Sequence, residues 1–324
     1  MSNQGVNMSG DSLNKLAREL VSGAAQAKSG LAAAKVAKVG VEGGHWYTRT
    51  GDLIEAMPKA DGKGGMTKTT LRHARVHQLC PGITTIIGQS NREGLNIYRE
   101  TQAIHSSLTL GRDEGEGDRS YLARIREDMR TAAKDARDKG TLIHAALDQS
   151  YRGVAFDPDF EREVAAVRRS VEENCGDQPS QWLPERAVVH GLGYATKVDL
   201  HSEHWVLDWK GHDGDQKTLD LLKTWDEHHM QLAAGREAIE GDISASPEVS
   251  PVREEMHIFD TAPLSRMRCA IVYVSRNYPG AVAFKEVPES KLRQGWSMFQ
   301  HLTGYYYAKT GYRPSWAISG DDYR

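Results

Sequence analysis

The sequence predicts an α/β protein, because β-like and helical patterns alternate in its second half. Three short runs rich in apolar residues follow one another between 186 and 210, and a long helical pattern comes after them. A second pair of strands, around an Asn-Tyr-Pro-Gly turn, precedes a last helix. A sheet with helices packed against it accommodates this order. The predicted elements are strands at 186–190, 194–200, 204–210, 268–275 and 281–287, and helices at 219–239 and 289–309.

The composition is that of a globular protein with enough chain to bury a good core. Of the 324 residues, 39% are hydrophobic and 26% are charged. The chain has no apolar run of membrane-spanning length and no N-terminal segment of signal-peptide type, so we expect an intracellular, cytoplasmic protein with no membrane partner. The net charge of −3 indicates no particular partner, and binding to nucleic acid would need a local basic patch.

The cysteines bear on the expected cofactors. Cys80, Cys175 and Cys269 lie far apart in the chain. Their spacing argues against a disulfide framework and against a cluster held by cysteines alone. We therefore expect no iron–sulfur cluster.

By composition the chain divides into three parts. Residues 1–44 mix Ser, Gly, Ala and Lys without an apolar stripe, and we expect a flexible N-terminal arm. Residues 45–139 begin with a β-like run and continue into helical patterns, which makes them an N-terminal β/helical segment. Residues 140–324 hold the predicted sheet, a surface loop at 241–265, and a C-terminal strand pair and helix.

The helical pattern is clearest at 118–139. Apolar residues recur there at intervals of three and four and form one face, which we expect to pack against the rest of the protein. Gly140 interrupts this pattern, and the residues from Thr141 to Leu147 resume it. The apolar positions are Leu122, Ile125, Met129, Ala132, Ala133 and Ala136.

A stripe of arginines lies beside this apolar face, at offsets of 7, 4 and 7 residues. It is either a solvated surface paired with neighbouring acids or a surface that contacts phosphate groups, and the sequence leaves both interpretations open. The stripe consists of Arg119, Arg126, Arg130 and Arg137.

Two apolar runs that end in an acid form the centre of the predicted site. The first run leads to Asp199 and the second to Asp208, which Lys210 follows on the same face of the strand. If the two strands form a hairpin, both carboxylates and the ammonium lie close together. Such a group is costly to bury unless it holds a metal ion and a reacting anion, and Mg²⁺ and Mn²⁺ prefer oxygen ligands.

Three further residues join the candidate set. Glu185, just before the first strand, adds a third carboxylate or forms an exposed ion pair with Arg186. His144 alone is more typical of a buried, hydrogen-bonded histidine than of a metal ligand, and Gln231 lies on a predicted helix. A second metal cluster is suggested by further histidines and acids, but ordinary polar loop and helix residues are the favoured interpretation; these residues are His212, Asp213, Asp215, His228 and His229.

Taken in order, the candidates resemble a known family. Gly140-x-x-x-His144, Glu185, Asp199, Asp208-x-Lys210 and Gln231 resemble the motifs of the RecB-like exonuclease branch of the PD-(D/E)xK superfamily. The similarity is greatest to the group that includes the mitochondrial genome maintenance exonuclease and many phage exonucleases. It spans roughly residues 80–310 and includes the Pro-Gly-Ile-Thr-Thr segment that begins at Pro81.

The resemblance implies a fold and an activity. It implies a restriction-endonuclease-like core at 140–324, with a mixed central β-sheet flanked by helices and an N-terminal helical extension. It also implies a metal-dependent DNA exonuclease of phage-type recombination or DNA processing, which uses Mg²⁺ or Mn²⁺. The implied metal ligands are His144, Glu185, Asp199 and Asp208. The implied catalytic residues are Asp199, Asp208, Lys210 and Gln231.

The implied partners are DNA ends, single- or double-stranded, and a single-strand annealing or recombination protein. Residues 45–139 become a candidate DNA-guiding region, in which the arginine stripe contacts the strand. In a phage-encoded protein the compartment would be the host cytoplasm.

The sequence departs from the family pattern at two site positions. Gly235 stands where the family often has the tyrosine of Gln-x-x-x-Tyr, and Asp208 stands where glutamate is commoner. The cysteines that hold an iron–sulfur cluster in some relatives are also absent. Two alternatives therefore accompany the exonuclease: a structure- or sequence-specific endonuclease of the same fold, and a catalytically silent DNA-binding protein.

Overall fold

The structure is a computed structural model that describes residues 45–59, 64–90, 93–244 and 267–318. The arm expected at 1–44 and most of the loop expected at 241–265 lie outside these residues. In the described ranges, no helix is long and apolar enough to cross a membrane.

Short elements and two longer helices precede the main sheet. Two-residue strands pair β1 with β4, and β2 pairs with β3, both antiparallel. The helical patterns expected within residues 45–139 are present as α3 and α4. In chain order the elements are β1 (Trp46–Tyr47), β2 (Ala56–Pro58), β3 (Met66–Lys68), α1 (Leu71–His77), β4 (Cys80–Pro81), α2 (Ile83–Ile87), α3 (Glu93–Leu110) and α4 (Asp118–Tyr151).

A mixed sheet of five strands forms the centre of the molecule, with the order β5-β6-β7-β8-β9. Only β7 and β8 are parallel in it, and the described part of the chain between them contains two helices. All five predicted strands are confirmed, and so are the α/β class and the last helix. The elements are α5 (Glu161–Cys175), β5 (Leu183–His190), β6 (Tyr194–His201), β7 (Trp205–His212), α6 (Gln216–Asp220), α7 (Asp226–Glu240), β8 (Arg268–Ser275), β9 (Val282–Val287) and α8 (Glu289–Thr310).

The single helix predicted at 219–239 is wrong, because two start signals produce two helices. The Asp215 side chain accepts the backbone N–H of Thr218 at 2.9 Å and begins α6. The His228 ring accepts the backbone N–H of Trp225 at 3.3 Å, at the start of α7. Because α7 begins anew at Asp226, the face that it turns to the sheet does not depend on the direction of α6.

Each face of the sheet carries its own core. Helices α2, α7 and α8 cover one face, with Val206, Met230 and Phe299 among the buried residues. Helices α4 and α5 cover the other face, where Leu147 and Trp209 are buried. Strand β7 alternates between the two cores, as a strand covered on both faces must.

Helix α4 differs from the expectation in two ways. Gly140 does not interrupt it, since the helix runs unbroken from Asp118 to Tyr151. The predicted apolar face at 122–136 is also wrong, because among its six residues only Ile125 is buried and Leu122 is 48% exposed. The turns from Ile143 to Leu147 pack on the sheet, whereas the N-terminal half contacts mainly α3.

A glycine sets how closely α8 crosses α7. A Cβ at Gly295 would lie 2.5 Å from the backbone carbon of His229 and 2.6 Å from its oxygen. No side chain fits in that gap. Gly295 therefore allows the close contact that holds α7, and with it Gln231, against the sheet.

Candidate active site

The acids of β6 and β7 meet where the two strands separate. Their ladder ends at the Leu200–Leu207 pair, so Asp199 and Asp208 follow at the next position on each strand. There the Asp199 carboxylate, through Oδ2, accepts the backbone N–H of Trp209 at 2.8 Å. The carboxylate thus takes the place of the strand carbonyl that would pair with this N–H if the ladder continued. The hairpin predicted from the sequence is confirmed, and it brings both acids together.

Asp208, Lys210 and Gln231 form a closed triangle of polar contacts. Lys210 Nζ lies 2.6 Å from Asp208 Oδ2, and Gln231 Nε2 donates to Asp208 Oδ1 at 2.6 Å. Lys210 Nζ also donates to Gln231 Oε1 at 3.1 Å. The two charged partners fix the orientation of the amide, since only its NH₂ can donate and only its oxygen can accept.

His144 reaches the site from the other face of the sheet. Its Nδ1 lies 3.7 Å from Asp199 Oδ1, and its ring is half-buried. Burial disfavours the charged imidazolium, but the neighbouring carboxylates of Asp199 and Asp208 outweigh that effect and raise the pKa of His144. The structure therefore brings together His144 and Asp199 from α4 and β6, as expected from their order in the chain.

The two carboxylates differ in their electrostatic environment. Burial raises the pKa of Asp208, and the negative charge of Asp199 adds to this, although Lys210 opposes both. Burial also acts on Asp199, but His144, Lys210 and the Trp209 N–H together lower its pKa. Burial alone would lower the pKa of Lys210, and the two carboxylates raise it instead. Lys210 therefore carries its proton firmly bound. Of the two acids beside it, Asp199 is the more strongly ionised and Asp208 takes up a proton more readily.

Glu185 does not join this group. It lies opposite Asp199 between β5 and β6, at the one position of that ladder where no regular pair forms. Its φ of 42° is in the left-handed region, which a residue with a side chain rarely adopts. Its carboxylate lies 2.5 Å from Lys197 Nζ. The structure thus directs Glu185 to a lysine, and its assignment as a metal ligand stays a prediction.

The donor atoms of the site determine which cation would fit it. Carboxylate oxygens are suitable ligands for Mg²⁺ and Mn²⁺, whereas an imidazole such as His144 is more typical of softer transition-metal ions. Asp208 Oδ2 is buried, and within the described chain its contact is the Lys210 ammonium at 2.6 Å, so a bound cation would share this oxygen with the lysine. No group of three or more His, Cys, Asp or Glu side chains in these ranges is already arranged around one point. The donor chemistry fits, with Asp199 and Asp208 as the residues that would hold the ion.

The arginine stripe of α4 is exposed along its length. Arg119, Arg126, Arg130 and Arg137 all face solvent, and Arg130 forms an ion pair with Glu127 at 3.0 Å. Only Arg137 of the four lines a cavity of about 650 Å³ beside the site. The stripe as a DNA-contacting surface stays a prediction.

Sequence reasoning missed Tyr273 beside Lys210, and it favoured an ordinary polar helix role for His228. Tyr273 of β8 lies next to Lys210 in the parallel register, and its hydroxyl donates to the Lys223 carbonyl at 3.0 Å. The same hydroxyl lies 3.4 Å from Nδ1 of His228. Burial, and to a smaller extent the charge of Lys210, lowers the pKa of His228 to about 3. His228 precedes Gln231 by three residues, a spacing that puts both on one helix face and was visible in the sequence. The parallel register of β7 and β8, which places Tyr273 beside Lys210, was not visible in the sequence.

Gly235 has a structural role on α7. A Cβ there would meet Cγ2 of Val198 at 3.6 Å, so this position faces β6 in the buried core. The helix therefore contributes Gln231 to the site, and one turn later it contributes packing against the sheet.

No protein-family model matches the chain, and no curated protein sequence matches it either. The functional argument therefore depends on the geometry of the site and on its motifs.

Proposed function

We propose that this protein is a Mg²⁺- or Mn²⁺-dependent deoxyribonuclease that acts as an exonuclease on DNA ends. The observation that carries the proposal is the convergence of Asp199, Asp208, Lys210 and Gln231 from two adjoining strands and the following helix. The five-stranded mixed sheet with helices on both faces supports the finer proposal that the core is restriction-endonuclease-like.

In this proposal each residue of the site has its own role in phosphodiester hydrolysis. A divalent cation held by Asp199 and Asp208 would neutralise charge on the scissile phosphate. Lys210 stays an ammonium beside both carboxylates and presents its charge to the phosphate oxygens. Gln231 holds Asp208 and Lys210 in register, and His144 supports Asp199 from the other side.

A labelled linear DNA incubated with Mn²⁺ tests this proposal. Asp208→Asn and Lys210→Met should each lower the cleavage rate by about 10²- to 10³-fold, because the first removes a charged ligand of the cation and the second removes the ammonium that faces the phosphate. Asp128→Asn, an exposed carboxylate on α4, is the matched control and should cleave like the wild type. Unchanged rates in both site variants would overturn the assignment. Resistance of covalently closed circular DNA would separate an exonuclease from an endonuclease.

The closed Asp208–Lys210–Gln231 triangle favours a second candidate, a DNA-binding protein without turnover. In that protein the polar contacts would be structural, and the lysine would substitute for a cation. Calorimetric titration with Mn²⁺ discriminates between the two. Binding that Asp199→Asn weakens supports the nuclease, and no carboxylate-dependent binding supports the silent protein.

A further inference from the structure

A cavity of about 650 Å³ opens beside the candidate active site. His144 and Glu185 line it at the site, Arg137 and Gly140 line it along α4, and Arg276 lines it at the end of β8. A sphere of this volume is about 11 Å across, which is less than the roughly 12 Å that the major groove of a duplex alone spans. The cavity therefore suits one strand and not a duplex.

The charges around the cavity favour an anion. Its two lining carboxylates are both paired: Asp148 contacts Arg152 at 2.8 Å and Glu185 contacts Lys197 at 2.5 Å. Arg276 is held by Asp213 through two contacts of 2.8 and 2.9 Å. Arg137, in contrast, forms no ion pair with any described residue. An uncompensated guanidinium thus faces the space next to the catalytic acids.

Gly140 keeps this cavity open at a cost to the helix. It lies in the interior of α4, where glycine is less favourable than alanine. A Cβ at Gly140 would meet no atom of the described protein within 4 Å, so packing does not require glycine. The missing side chain instead leaves room in the cavity that Gly140 lines, one turn before His144.

We propose that this cavity binds the phosphodiester backbone of one DNA strand next to the scissile phosphate, with Arg137 as the phosphate contact and Gly140 as the residue that leaves room for the strand. The inference rests on the proposed nuclease function and names the subsite that its substrate would occupy. Backbone contacts of this kind bind without regard to base sequence.

Binding of a fluorescein-labelled oligothymidylate in EDTA, where no cleavage occurs, tests the proposal. Gly140→Leu should weaken binding about tenfold, because its side chain fills the cavity. Gly140→Ala should raise Tm by about 2 °C and still weaken binding. Gly304, an exposed glycine of α8 that also has no atom within 4 Å of its Cβ position, provides the control. Gly304→Ala and Gly304→Leu should leave binding unchanged.

Arg137→Gln should lower the slope of log affinity against log salt by about 0.7, the loss of one phosphate contact on a single strand. Arg169→Gln, at an exposed arginine of α5 outside both the stripe and the cavity lining, is its control. A duplex probe of equal length whose binding the same variants weaken as strongly would contradict the assignment of the cavity to a single strand.

The two proposals fail in different ways. If the wild type cleaves DNA in an Asp208-dependent manner while the Gly140 and Arg137 variants bind the probe normally, the subsite is wrong and the nuclease stands. If the wild type neither binds nor cleaves DNA, both are wrong.

Discussion

Gln231 donates a 2.6 Å hydrogen bond to Asp208 across the gap between α7 and β7, while its carbonyl oxygen accepts from Lys210. Partners of this kind orient catalytic groups, and their loss typically costs 10- to 100-fold in metal affinity or activity. We expect Gln231→Leu to lower Mn²⁺-dependent cleavage by about that factor.

The control for this prediction is Gln294→Leu, since Gln294 is an exposed residue of α8. Equal cleavage rates in Gln231→Leu and Gln294→Leu would show that the amide does not position the catalytic pair.

Lys210 is expected to stabilise the protein in the absence of metal. Its ammonium is the cation in contact with buried Asp208, and removing one partner of a buried pair leaves an uncompensated charge. We expect Lys210→Met to lower the free energy of unfolding at pH 7 by about 3 kcal/mol. Added Mn²⁺ should then raise the Tm of this variant more than that of the wild type. Equal shifts would mean that the ion does not bind at the two carboxylates.

Two glycines of α8 should respond to alanine in opposite directions. At Gly295 the new methyl group would overlap the His229 backbone, and overpacking of this kind costs about 1–3 kcal/mol. At Gly304 it would meet open space, so the better helix propensity should stabilise the protein by about 0.5–1 kcal/mol. Urea unfolding of the two variants measures both effects. A Gly295→Ala protein as stable as the wild type would refute the close crossing of α7 and α8.

His190 should make stability depend on pH. Burial lowers its pKa from 6.5 to about 4, and its Nδ1 accepts the backbone N–H of Leu192 at 3.1 Å. The unfolded chain therefore binds a proton between pH 6.5 and about 4 that the folded chain does not. This contribution is complete above pH 6.5 and is lost as the pH falls, at about 1.4 kcal/mol per pH unit.

Replacing His190 shows how much this residue contributes to the dependence of stability on pH. His190→Gln keeps an acceptor for the Leu192 N–H but cannot take up the proton. Because His201 also has a pKa lowered to about 4 by burial, the variant should have a shallower acid slope and not a flat one. Urea midpoints measured from pH 7 to pH 4 report the slope. Parallel curves for the variant and the wild type would exclude His190 as the source.

The strands were predictable because each is a continuous apolar run with a clear end. Asp199, Asp208 and Lys210 could be proposed from the same runs, since an acid that closes such a run is costly without a partner. The helix at 118–139 was predicted correctly from the spacing of its apolar residues, but the prediction that these residues are buried was wrong. Periodicity shows which residues share a face, but not whether another element covers that face, and Leu122 is left exposed.

The sequence by itself determined the α/β class, the strand pair that carries both acids, and the order of His144, Asp199, Asp208, Lys210 and Gln231. These follow from local patterns, which the chain encodes over short distances. The tertiary structure alone decided that Glu185 turns to Lys197, that Tyr273 lies beside Lys210, and that Gly140 borders an open cavity. Each depends on sheet register or helix crossing, and these are set by contacts between residues far apart in the chain.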